Sequence, residues 1–166
     1  MKKFLRANSF FLGCFLLFVI LGGGLLFQIE KPEAILFFSE RRTPFFDVFF
    51  SFATKMGEEL TYLTFIVIFL FIKIRHSLLI PLVGFLVAGI SIVTKNFFAH
   101  DRPLVFLEKM GIDHQVNYVD GIELYTGPTS FPSGHTMSAF ALYGLVAFLI
   151  AEKKISGVFL FVIALL

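Results

Sequence analysis

Thr129-Ser130-Phe131-Pro132-Ser133-Gly134-His135-Thr136 stands where a long polar segment ends and an apolar run, Met137 to Ala151, begins. That junction predicts the first turn of a membrane helix. A helix N-terminus presents unpaired backbone N–H groups and the positive end of the helix dipole, so it is suited to anions. Ser133 adds a hydroxyl, Gly134 lets a ligand come close to the backbone, and His135 brings the side chain type that exchanges protons near neutrality. Together they predict a phosphate pocket with an acid built into it.

The rest of the chain supplies the setting. Of 166 residues, 57% are hydrophobic, 17% aromatic and only 16% charged, and the mean hydropathy is +0.87, far from the balance of a soluble domain. The fold class expected is an all-α integral membrane protein, a helical bundle. The formal charge of +2 is too small to point to nucleic acid. Cys14, the one cysteine, lies in the first apolar run; it excludes an intrachain disulfide, offers no thiol metal site and reads as a small buried hydrophobe.

Five apolar segments follow in order, and no internal repeat separates them. Residues 9–27 come after Lys2, Lys3 and Arg6 and are about as long as a bilayer crossing requires. A retained anchor is the preferred reading. A cleavable signal peptide shares the basic start, and Gly22-Gly23-Gly24 mimics a small-residue cleavage region. Residues 28–60 mix charges with Phe45, Phe46, Phe49 and Phe50 and are read as one or two amphipathic helices at the outer interface, with Pro32 and Pro44 at helix starts. Arg41-Arg42 reads as a solvated surface pair. Spans are then expected at 61–74, 78–93 (with Pro81 in its first turn) and 137–151, and a partial one at 155–166. Basic residues recur at every second junction: Lys2, Lys3 and Arg6, then Lys73 and Arg75, then Lys153 and Lys154. This places the N-terminus in the cytoplasm and both long polar segments, 28–60 and 94–136, outside. The last run stops after about a dozen residues where a span needs roughly twenty, which is read as a chain incomplete at its C-terminus.

The outer segment 94–136 opens with Lys95 and Arg102, which the orientation rule does not employ as cytoplasmic anchors. Seven residues apart on a continuing helix they would share one face, two turns apart, with Pro103 ending the helix. Arginine offers a planar fork and lysine a mobile point charge to phosphate oxygens. The loop 108–127, with Asp113, Asp120 and Glu123, reads as a plain acidic surface loop rather than a lid.

Lys95, six residues, then Arg102-Pro103 resembles the first signature of the type-2 phosphatidic acid phosphatase family, which shares its fold with vanadium haloperoxidases; Pro132-Ser133-Gly134-His135 resembles the second. The resemblance covers Leu78 to Ala151 well, and the chain looks like a bacterial membrane member of that family. It implies a bundle of six membrane helices in the intact protein, about four and a half of them present here, and a third signature, Ser-Arg followed by His and Asp, that falls beyond Leu166. It further implies metal-free, cofactor-free hydrolysis of lipid phosphates (phosphatidate, phosphatidylglycerophosphate or undecaprenyl diphosphate) at the outer face of the cytoplasmic membrane, through a phosphohistidine formed on the missing histidine. In that scheme Lys95, Arg102, Ser133 and the Gly134 N–H hold the phosphoryl group, and His135 is the catalytic acid for the leaving group. The expected partners are the lipid phosphate substrate and membrane lipids. The 166 residues are accordingly expected to bind phosphate and to hydrolyse it poorly or not at all. His100, between Lys95 and Arg102, reads as a solvated or capping histidine. A vanadate-dependent oxidase shares both motifs but is soluble in that family, and a non-catalytic lipid-phosphate-binding membrane protein also fits the chain.

Overall fold

The computed structural model describes residues 5–6, 8–119, 121, 124–150 and 154–166, with the backbone alone at 154. Lys2, Lys3, Asp120, Glu123, Ala151, Glu152 and Lys153 therefore lie outside the described residues. Those described form helices and connections with no strand. The order is α1 (Ser9–Leu26), α2 (Lys31–Glu40), α3 (Pro44–Thr54), a 3₁₀ turn (Lys55–Gly57), α4 (Glu59–Ile72), α5 (Ile74–Phe98), α6 (Pro103–Met110), a second 3₁₀ turn (Asp113–Gln115), α7 (Gly134–Leu149) and α8 (Lys154–Leu165).

α7 is the centre of the bundle. It packs against α5 on one side and α8 on the other; α4 backs α5, and α1 backs α8. Ala139, Leu142, Tyr143, Gly144, Val146 and Ala147 of α7 are buried, joined by Phe11, Phe69, Ile80, Leu160, Phe161 and Ala164 from the surrounding helices. Small residues on α7 allow the close approach: Gly144 lies against the Phe11 ring, which a Cβ there would meet at 3.5 Å. Cys14 packs at the edge of this cluster, as a small hydrophobe does.

The outward faces are as apolar as the core. α1 has Phe11 as its buried residue, while Ile20, Leu21 and Leu26 are exposed. A helix apolar all round with one buried position is matched to lipid rather than to water. Ser9–Leu26 and the helical stretch Ile74–Met110 are long and apolar enough to cross a membrane, and Glu59–Ile72, Gly134–Leu149 and Ile155–Leu165 are shorter apolar helices. α5 alone has 25 residues, a length of about 37 Å against a hydrocarbon core of about 30 Å.

Local sequence explains the helix limits. Pro32 and Pro44 sit in the first turns of α2 and α3, where a missing N–H costs nothing, and the Thr43 hydroxyl caps α3 by accepting from the Phe46 N–H at 3.3 Å. A single residue, Lys73, extended at φ −163°, separates α4 from α5. Because α5 begins at Ile74, Pro81 lies inside the helix, not in its first turn. A second difference concerns Lys95 and Arg102, which are not on one continuing helix. α5 ends at Phe98, Ala99 takes a left-handed conformation with φ 46°, and Arg102 is the extended N-cap of α6. Pro103 disfavours helical geometry at the residue before it and starts a new helix instead of ending the old one.

Arg42 also departs from a solvated surface residue. Its guanidinium forks onto the Asp47 carboxylate at 2.9–3.3 Å and donates to the backbone oxygens of Asn117 and Tyr118. The Ser39 hydroxyl accepts from the Asn117 N–H at 2.6 Å. The connection after α6 is thus strapped to the α2–α3 hairpin. Arg41 remains exposed, stacked on the Phe37 ring at 3.8 Å.

Candidate active site

The N-terminus of α7 is built as its sequence requires. Ser133 is the N-cap, extended at φ −67° and ψ 120°, with its Oγ accepting from the Thr136 N–H at 3.4 Å. The hydroxyl's own proton and the first helical N–H groups remain available to a ligand. Gly134 occupies the first helical position. A Cβ there would stand 3.6 Å from Lys95 Nζ and 3.9 Å from Ser91 Oγ. The ammonium of Lys95, in the last turn of α5, therefore lies beside the Gly134 backbone, with the space between them left free by the missing side chain.

Arg102 arrives from the other side of the chain reversal. Its backbone N–H donates to Gly127 O at 3.0 Å, and two residues earlier His100 O accepts from the Ser130 N–H at 3.0 Å. This short ladder ties 100–102 to 127–130 and so brings the Arg102 side chain to the segment leading into Ser133. Nη2 reaches Thr129 Oγ1 at 3.4 Å, and the guanidinium lies 5.2 Å from the centre of the Tyr125 ring. Nε is buried and has no hydrogen-bond partner, an arrangement that is costly unless an acceptor is supplied. Among the described residues, neither Lys95 nor Arg102 is paired with a carboxylate. Two cations without carboxylate partners beside a helix N-terminus give this end of the cleft a local positive charge that attracts anions.

Lys95, Arg102, Ser133, Gly134 and His135 all line one cleft of about 1130 Å³. Sequence reasoning named these five; Glu58, Glu59, Tyr125 and the apolar wall line the same cleft and were not singled out. Away from the charges the cleft runs between α4 and α5, past Leu60, Tyr62, Leu63 and Ile66 on one side and Pro81, Gly84, Phe85, Val87 and Ala88 on the other. From Lys95 to Pro81 this is about 21 Å of helix. No pattern in the sequence marks such a furrow, since its walls are ordinary apolar helix residues. Glu58 lies with its Oε1 3.7 Å from His135 Nε2.

The remaining histidines are elsewhere. His76 packs on Phe69, about 28 Å along α5 from Lys95. His114 is in the second 3₁₀ turn. The His100 ring stacks on Phe98 and meets the edge of Phe131; its neighbour Asp101 is engaged by Lys109 at 2.5 Å. Among the described residues, no three His, Cys, Asp or Glu side chains are grouped to hold a metal ion.

No curated protein and no solved structure matches the chain. Residues 77–166 match the PAP2 superfamily, from the second turn of α5 to the last residue, and the match contains every residue of the cleft's cationic rim. The chain belongs to the PAP2 superfamily, and phosphatase-type hydrolysis of phosphate esters is the activity that membership supports.

Proposed function

We propose that the cleft binds the phosphate head of a membrane lipid, a phosphate monoester or diphosphate, and prepares it for hydrolysis at the extracytoplasmic face of the plasma membrane. One observation carries this reading: the anion cradle at the N-terminus of α7 is continuous with an apolar furrow between α4 and α5. A head group sits at Lys95, Arg102, Ser133 and Gly134 while its chain lies against Leu63, Ile66, Phe85 and Val87. The orientation follows the cytoplasmic preference of Lys73 and Arg75, which stand at the opposite end of α5 from Lys95.

The roles follow from the chemistry of the groups. Phosphoryl transfer depends mostly on positioning and on neutralising the equatorial oxygens. Lys95 contributes a point charge and Arg102 its unpartnered Nε–H and fork. Ser133 and the Gly134 N–H complete the cradle. His135 donates a proton to the departing oxygen. It is the one imidazole among the described residues lining the cleft, so a phosphohistidine route requires a second histidine from outside this set. The 166-residue chain accordingly binds well and turns over slowly.

The test uses the chain in detergent micelles. Long-chain phosphatidate is expected to bind at least tenfold more tightly than glycerol phosphate, and Lys95→Ala or Arg102→Ala to abolish both interactions. Phosphate release is followed alongside and is expected to be slow or undetectable, because His135 is the one histidine among the described residues that line the cleft. Equal affinity for the lipid and its water-soluble head, or full binding by both variants, overturns the assignment.

A further inference from the structure

A carboxylate lining a phosphate cleft needs a reason, because it repels the ligand. Glu58 is such a group, and its position is held by much more than its own side chain. The 3₁₀ turn that ends immediately before it is joined to α7 by two hydrogen bonds: Ser138 Oγ donates to Gly57 O at 2.7 Å, and the Tyr143 hydroxyl donates to Met56 O at 3.1 Å. From α4, the Tyr62 hydroxyl donates to Ser138 O at 3.0 Å. Gly57 lies so close to the first turn of α7 that a Cβ would stand 2.8 Å from His135 O. The backbone on either side of the Glu58–His135 pair is therefore fixed. Glu58 is also the N-cap residue of α4, yet its side chain makes no capping hydrogen bond. Its Oε1 is instead 3.7 Å from His135 Nε2.

Resting on the phosphate-site reading above, we propose that Glu58 is the positioning residue of His135. A small rotation of either half-exposed side chain closes this 3.7 Å ion-pair distance to a hydrogen bond in which Glu58 accepts from Nε2–H, which sets the orientation of the ring and leaves Nδ1 to serve the substrate. The neighbouring Glu59 does not share this role. It stands in the first turn of α4, where the helix dipole accounts for an acidic residue, and no ion pair joins it to His135. Both partners are about half exposed, at 45% for Glu58 and 59% for His135, so the contact orders the ring and adds little to stability.

Two measurements on the 166-residue chain in micelles test the pairing. In ¹⁵N-histidine-labelled protein, with the signals assigned through His135→Ala, neutral His135 is expected to carry its proton on Nε2. Glu58→Ala should mix the two tautomers, Glu58→Gln should retain Nε2–H because its amide oxygen still accepts, and Glu59→Ala should change nothing. Inorganic phosphate affinity is then compared across a double-mutant cycle. Glu58→Ala is expected to weaken phosphate binding about threefold in the native background and to leave it equal or tighter in His135→Ala. Ring signals identical in the native chain and Glu58→Ala overturn the proposal. So does tighter phosphate binding by Glu58→Ala in both backgrounds, which makes Glu58 only a repelling charge. Should the tautomer depend on Glu58 while phosphate binds nowhere, the pairing stands and the phosphate-site reading falls.

Discussion

Replacing Gly57 by alanine puts the smallest possible side chain at the tightest point between the 3₁₀ turn and α7. The new Cβ lies 2.8 Å from the His135 carbonyl oxygen and 3.5 Å from Ala139 Cβ. The first neighbour is backbone within a helix and cannot rotate away. Ordinary contact begins near 3.4 Å, so turn and helix have to separate by roughly 0.6 Å, and overpacking of this kind costs about 1–3 kcal/mol. The separation also stretches the bonds that Ser138 and Tyr143 make to Gly57 O and Met56 O, each contributing about 1 kcal/mol. With about half of the two bonds' contribution lost, the total is roughly 2–4 kcal/mol, which corresponds to a fall in Tm of roughly 5–15 °C. Circular dichroism melts in detergent measure it, with Gly89→Ala as the control because a Cβ at Gly89 meets nothing within 4 Å. Phosphate binding should weaken in parallel, since the turn carries Glu58 away from His135. A Gly57→Ala protein that melts with Gly89→Ala and binds phosphate as the native chain does would refute the packing scheme.

Gly134→Ala is expected to behave in the opposite way. At 3.6 Å from Lys95 Nζ its methyl group is in ordinary contact, so the melt stays within about 1 °C of native while phosphate titration shows at least a tenfold loss from the blocked space. Arg102→Lys keeps the charge but not the planar fork, and phosphate affinity should fall about tenfold, read by the same titration. Arg42→Ala removes the strap to Asn117 and Tyr118; limited proteolysis should then cut within residues 111–119 several times faster, with the α4–α5–α7 bundle left intact. Tyr143→Phe deletes the donor to Met56 O and should lower stability by about 1–2 kcal/mol in the same melts.

The membrane helices and the location of the cationic rim were legible because they depend on local properties. Apolar run length marks α1, α5 and α7, proline positions mark the starts of α2 and α3, and Ser-Gly-His before an apolar run marks the first turn of α7. The joint between Lys95 and Arg102 was not legible. A continuing helix and a left-handed break at Ala99 give the same seven-residue spacing, and alanine, unlike glycine, does not announce a positive φ. Arg42 was read as solvated for a similar reason: its partners Asn117 and Tyr118 lie 75 and 76 residues away.

By itself, then, the sequence determined that this chain forms a bundle of apolar helices and singled out Lys95, Arg102, Ser133, Gly134 and His135 as candidates for a phosphate site. Hydropathy and helix-start chemistry act over a few residues, so both can be read from the chain. Only the tertiary structure decided that the five line one cleft, that this cleft continues between α4 and α5, and that Glu58 stands 3.7 Å from His135. Those relations join segments that meet because α7 packs against α5 and the 3₁₀ turn, and packing between distant segments leaves no periodic trace in the sequence.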